Sequence, residues 1–187
     1  MCGAVDTRRG MNVSSETTLP AVQLKAEHMV SGDNQPMEGF ADFFEVAVAV
    51  HASKERLYDL VTNIEGLSEF FPSVSFKVDS DAPLAVGSTY HTRQRGSKTW
   101  VPYRVLVLDP NARMSAELIG KDPLFKSLRY DHRFVAEVSA TMSRERVDYT
   151  FRYGYAGRVL NFVIGKRLVR NQVLDAHQRL REAAGRD

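Results

Sequence analysis

Cysteine is almost absent from this 187-residue chain, with Cys2 the only one. A single thiol cannot build a disulfide framework, and it excludes a cysteine-rich metal site. So little cysteine fits a reducing compartment. Long apolar runs are also missing. None approaches the ~20 residues that a membrane span needs. No apolar stretch of ~7–15 residues follows Arg8 and Arg9, so no secretory signal is read. Asp6, Glu16 and Glu27 argue against an organelle transit peptide, which leaves the cytoplasm as the expected location. A charge excess is lacking too: 25 Lys and Arg face 23 Asp and Glu, a formal net charge of +2. Obligatory nucleic-acid binders usually show a basic stripe, so no nucleic-acid partner is expected.

The familiar signatures of catalysis and cofactor binding are absent as well. His28, His51, His91, His132 and His177 show no metal-ligand spacing, and neither HxH nor HExxH occurs. No Gly-rich phosphate loop follows a strand. Gly154-Tyr155-Ala156-Gly157 lacks the GxGxxG pattern and the parallel βαβ context, and it reads as a turn. There is no GxSxG elbow and no cysteine nucleophile context. The expectation is therefore no metal, no cofactor and no catalytic residue assigned from a motif.

What is present is ample apolar material, 43% of the chain, with 26% charged residues, as soluble domains have. It is unevenly spread. Residues 1–39 are rich in Ser, Thr, Gly, Asn and Asp, and their sparse apolar residues follow no period. Such a segment buries too little to offset its ordering entropy and reads as a mobile tail. Residues 40–187 read as one domain.

The domain opens with an alternating strand in which Phe44, Val46, Val48 and Val50 share a face. Ser53 is placed as a helix N-cap with Glu55 in the first turn. Leu57, Leu60, Val61 and Ile64 form one apolar helical face. Asn63 and Gly66 end the helix, and a second short helix is expected over about 67–71, stopped by Pro72. The period is then close to two almost to Tyr153. Strands are expected over about 74–78, 87–95, 99–108, 113–118, 128–138 and 142–153, joined by short turns that favour antiparallel pairing. A long helix follows, over about 158–184, with Leu160, Val163, Ile164, Leu168, Val173, Leu174 and Leu180 as its apolar positions.

The order strand, two helices, six strands, long helix resembles the helix-grip arrangement of the START-like or SRPBCC superfamily, which includes polyketide cyclases and lipid-transfer domains. The segment VHASKERLYDLVTNIEGLSEFFPSV is similar to that family's opening. Tyr130–Phe134 (YDHRF) and the following RERVDYTFRYGYAGRVLNFVIGKRLVRNQVLDAHQRL resemble its closing hairpin and grip helix. Residues 65–72 also resemble the coenzyme-Q-binding chaperone branch. The resemblance implies an α+β helix-grip fold, β-α-α-β6-α. In it a curved antiparallel seven-stranded sheet wraps a long C-terminal helix and encloses a cavity for a small hydrophobic ligand.

Strand alternation then nominates the cavity wall. Arg129, Asp131 and Arg133 share one face, read as wet, which turns Tyr130, His132 and Phe134 inward. Arg144, Arg146, Asp148 and Arg152 are likewise read as wet, which turns Val147, Tyr149, Phe151 and Tyr153 inward. Met114, Ala116 and Leu118 share an inward face. The strand over 99–108 is apolar on both faces, Val101-Tyr103-Val105-Val107 against Trp100-Leu106-Leu108, and its inward face stays open.

The candidate ligand-binding residues are Tyr103, Met114, Leu118, Tyr130, His132, Phe134, Tyr149, Phe151, Tyr153, Ile164 and Leu168, with Phe70 and Phe71 as a gate. His132 has two readings: a core histidine bonded to a tyrosine or to backbone, or a pocket group that bonds a ligand carbonyl or moves a proton. Lys166, Arg167 and Arg170 form a basic arc that is either a solvated helix face or a contact for anionic lipid. Three functions follow: carriage or sensing of a hydrophobic or aromatic ligand (lipid, quinone or polyketide-like), a cyclase or dehydratase using the same cavity with His132, and an interaction module with a closed cavity.

Overall fold

The computed structural model describes residues 35–154 and 166–185, the side chains of residues 166–170 excepted. Strand β1 (Asp42–Val50) leads into helix α1 (Lys54–Thr62) and a 3-10 turn (Glu65–Glu69). Six strands follow: β2 (Val74–Val78), β3 (Thr89–Gln94), β4 (Val101–Asp109), β5 (Arg113–Leu118), β6 (Phe125–Ala136) and β7 (Thr141–Phe151). The chain closes with helix α2 (Lys166–Ala184). The seven strands form one antiparallel sheet in the order β1-β7-β6-β5-β4-β3-β2. This is the helix-grip α+β architecture. The expected tail lies largely on residues 1–34, outside the described residues, as does the expected start of the long helix.

Local chemistry explains the joints. Ser53 caps α1, its Oγ accepting from the Arg56 N–H at 3.1 Å. The element after α1 is a 3-10 turn at 65–69 and not an α-helix at 67–71, because Asn63 and Gly66 end the α-helical ladder early. Between β3 and β4 Gly96 has a φ of +84°, a left-handed conformation open to glycine without penalty. Between β4 and β5 the same role falls to Asn111 at +59°, since a short polar side chain tolerates that region.

Two irregularities shift the face of the sheet that points to the core. The β4–β5 register slips between Val105 and Val107. Before it Val101, Tyr103 and Val105 are buried, and after it Leu108 packs against the core. An inserted residue reverses the strand parity, which is why this strand is apolar on both faces. A second slip, between Phe125 and Ser127, lets Phe125 and then Leu128 both face inward.

The outer face holds a correction. Asp131 and Asp148 belong to the face read as wet, yet they are only 3% and 0% exposed. Arginines roof them. Arg113 Nε lies 2.6 Å and Arg133 Nη2 2.7 Å from the Asp131 carboxylate, and Arg146 Nε donates to Asp148 at 2.9 Å. Asp148 also accepts from the Met37 N–H at 3.0 Å, which pins residues ahead of β1 to the sheet.

Burial pushes the Asp131 carboxyl up, but hydrogen bonds and charge from Arg113 and Arg133 outweigh it, so its pKa lies below the ordinary aspartate value. A depressed folded-state pKa gives stability that is present above the unfolded value, about 3.9, and lost as pH falls through the folded one. Stability from urea unfolding is therefore expected to fall below about pH 4. Asp131→Asn is expected to lose about 1–2 kcal/mol at pH 7 and to be less sensitive to acid; an equal acid loss in both proteins removes Asp131 as its source.

Candidate functional site

A cavity of about 390 Å³ lies between the inner face of the sheet, the 3-10 turn and α2. The 3-10 turn and its exit supply Leu67, Phe70 and Phe71. Strands β2 to β7 supply, among others, Phe76, Tyr90, Tyr103, Met114, Tyr130, His132 and Glu145. Helix α2 supplies Val173, Ala176, His177 and Leu180. Leu124 lines the same space while 47% exposed, so the loop before β6 marks where the cavity meets solvent. Asp122 Oδ1 secures that loop by accepting from the N–H groups of Leu124 and Phe125 at 2.7 and 2.9 Å.

Of the residues expected from the sequence, Tyr103, Met114, Tyr130, His132, Phe70 and Phe71 come together on the wall. Leu118, Phe134, Tyr149 and Phe151 pack in or against the core and are not on the wall. The reason is local crowding. Phe134 is stacked at 4.7 Å on His132 and meets Tyr58 of α1 edge-on, while Tyr149 is packed among Phe44, Phe125 and Phe151. Tyr153 was expected inside but is 57% exposed, because β7 ends at Phe151 and strand parity no longer applies. Ile164 lies outside the described residues, and so do the side chains of Lys166, Arg167, Leu168 and Arg170.

Two polar groupings interrupt the apolar wall. Tyr90 and Tyr103 stack at 5.5 Å, and Tyr103 meets Tyr130 at 5.8 Å. Burial holds all three phenols above the ordinary tyrosine range, so they remain protonated at neutral pH.

The second grouping is His132, Glu145 and His177. His132 on β6 is the register partner of Glu145 on β7, so their side chains stand side by side on the inner face. His177 comes from α2, on the buried helical stripe with Val173, Ala176, Leu180 and Ala184. The two imidazoles stack at 5.3 Å. His132 Nε2 pairs with Ser143 Oγ at 2.7 Å. His177 Nδ1 lies 2.9 Å from the Val173 carbonyl, which can only accept, so Nδ1 carries the proton. His177 Nε2 is buried with no hydrogen-bond partner among the described residues.

Glu145 Oε2 lies 3.9 Å from His132 Nδ1 and 3.7 Å from His177 Nδ1, too far for direct hydrogen bonds. Burial pushes the Glu145 carboxyl up to about 7. Burial, reinforced by His177, holds His132 well below the ordinary histidine value, and burial also lowers His177 against the bond to Val173. These are two neutral imidazoles facing a carboxyl poised near neutrality, not an ion pair.

Strand parity and helix periodicity could have found Glu145 and His177. Glu145 has the same parity as Val147 and Tyr149. His177 is four residues after Val173 and three before Leu180. What parity could not show is that these residues meet His132, since only the packing of α2 on the sheet brings residues 132, 145 and 177 together.

Comparison with known proteins agrees with this fold. No curated protein matches the chain significantly. Among solved structures, it is similar to the Zhui aromatase/cyclase from Streptomyces sp. R1128, with a TM-score of 0.63, 13% identity and coverage of 78% of this chain and 94% of that one. It is also similar to the di-domain aromatase/cyclase StfQ of the steffimycin biosynthetic pathway, with a TM-score of 0.62, 14% identity and coverage of 76% of this chain. The match spans 50% of StfQ's length. A START superfamily protein from Mycobacterium smegmatis matches with a TM-score of 0.59, 13% identity and coverage of 76% and 96%. At these identities the likeness shows the fold alone. The sequence itself carries more: residues 50–177 match the family described as polyketide cyclase / dehydrase and lipid transport, and the chain belongs to that START-like family.

Proposed function

We propose that the protein binds a small hydrophobic or aromatic molecule, of lipid, quinone or polyketide-like character, in the cavity between sheet and α2. The observation that carries this reading is the cavity itself: about 390 Å³, walled mainly by Phe, Tyr, Val and Leu, with a few convergent polar groups. Ligand sites of this kind span roughly 300–1,000 Å³. A volume near the lower bound favours a compact ring system over a two-chain lipid. Apolar burial at about 25 cal/mol per Å² supplies the affinity, and the protonated phenols of Tyr90, Tyr103 and Tyr130 offer donors to a ligand carbonyl. Spacing in sequence adds a possible delivery surface, the arc of Lys166, Arg167 and Arg170, for anionic lipid.

The expected outcome with 1-anilinonaphthalene-8-sulfonate as probe is one site per chain, from which menadione displaces the dye. Ala116, 1% exposed on the cavity wall, is the position to block. Ala116→Trp is expected to abolish dye binding while circular dichroism shows the fold retained. Dye binding unchanged in that variant places the ligand elsewhere and overturns the reading.

A second reading, a cyclase or dehydratase, is favoured by the buried carboxyl of Glu145, poised near pH 7 beside His132 on the cavity wall. Cyclisation needs a folded chain and a group that moves protons next to it. Under this reading a poly-β-ketone thioester mimic is turned over, and His132→Ala lowers turnover by about 10²–10⁴-fold with menadione binding intact. Turnover equal in wild type and variant removes His132 from the chemistry.

A further inference from the structure

Among the described residues, His132, Glu145 and His177 place one potential metal-ligand atom each within 4.8 Å of the others. We infer that these three side chains form a binding site for a divalent transition-metal ion of the zinc, cobalt or iron(II) kind, open on one side to the cavity. This goes beyond the ligand-binding reading and stands independently of it.

The strongest support is the unpartnered nitrogen. His177 is 2% exposed, its Nδ1 proton is committed to the Val173 carbonyl, and its Nε2 lone pair has no partner among the described residues. Buried acceptors are nearly always satisfied, so an orphan of this kind points to a missing partner. That partner has to accept a lone pair or donate a proton, and a metal ion does the first.

The supporting bonds around the two imidazoles are those a metal site needs. A ligating histidine is normally held through its other ring nitrogen by a carbonyl, a carboxylate or a similar group. His177 is held so by the Val173 carbonyl. His132 is held through Nε2 by Ser143, leaving Nδ1 toward Glu145. The separations fit as well. His132 Nδ1 and Glu145 Oε2, at 3.9 Å, leave a gap without a direct bond. Metal–nitrogen and metal–oxygen bonds of about 2.0–2.2 Å put tetrahedral ligands roughly 3.4 Å apart. The His132–Glu145 separation lies within about 0.5 Å of that spacing.

The donor set limits the ion. Two imidazoles and one carboxylate suit zinc and its first-row neighbours, whereas calcium and magnesium require more oxygens. Three protein ligands leave at least one coordination position free, and all three residues line the cavity, so that position faces the ligand space. An ion there would polarise a ligand carbonyl as a Lewis acid.

The test uses the full-length chain after EDTA treatment, titrated with zinc by calorimetry and with cobalt(II) by visible absorption. One equivalent of each is expected, with cobalt bands of a four- or five-coordinate ion. Loss of an outer-shell partner costs roughly 10–100-fold in metal affinity. Ser143→Ala is expected to fall in that range, and Glu145→Gln and His177→Ala to lose more. Cys2→Ser and His28→Ala are expected to change nothing. X-ray absorption of the zinc-loaded wild-type chain needs no variant, and so decides the matter even if a substitution unfolds the protein. It is expected to show two imidazoles and oxygen ligands at about 2.0–2.1 Å without sulfur. Three results would each overturn the inference: no stoichiometric binding, affinity undiminished in Glu145→Gln and His177→Ala, or a sulfur-containing shell.

Discussion

The pairing of β1 with β7 constrains everything else in the structure. β1 begins the domain, yet its hydrogen-bonded neighbour is the last strand, while β2 lies at the opposite edge of the sheet. The chain must therefore cross the whole sheet between β1 and β2, and α1 and the 3-10 turn are that crossing. They bring Val61, Leu67, Phe70 and Phe71 over the inner face, where α2 packs from the other end of the sequence. Apolar surface on the sheet is thus covered twice, and the volume that the two covers do not fill is the cavity.

The polar groups on the two faces of the sheet have different accounts. On the outer face Asp131 and Asp148 are as buried as the core, but Asp131 is covered by Arg113 and Arg133 and Asp148 by Arg146. For Asp131 the guanidiniums outweigh burial, and the result is a stabilised carboxylate. On the inner face the described residues set no cation beside Glu145, only two imidazoles that burial keeps neutral. Removal from water without compensation raises a carboxyl's pKa, whereas fixed guanidiniums lower it. The same functional group is therefore held ionised on one face and poised near neutrality on the other.

The two parts of the site make different demands on the sequence. The hydrophobic wall is made by strand parity, and many sequences satisfy it. The His132–Glu145–His177 group depends on three particular positions, one on each of three rigid elements. Moving any of them by one residue along its strand, or by two along the helix, would leave the cavity and remove the group.

Strand period, helix stripe and turn residues made the element order, the antiparallel pairing and the inward faces of β5 to β7 legible from the sequence, since each rests on interactions within a few residues. Ser53 as a cap belongs to that class. The inward face of β4 was not legible, because a bulge between Val105 and Val107 reverses parity midway through the strand. Nor was the exposure of Tyr153, which follows from where β7 stops. Period and composition, then, determined the fold and the apolar character of its interior. Only tertiary packing decided which inward residues line open space and which fill the core, and only the seating of α2 on the β6–β7 hairpin set His177 against His132 and Glu145. Contacts between residues so far apart along the chain depend on the angle and register at which whole elements meet, and no local pattern encodes those.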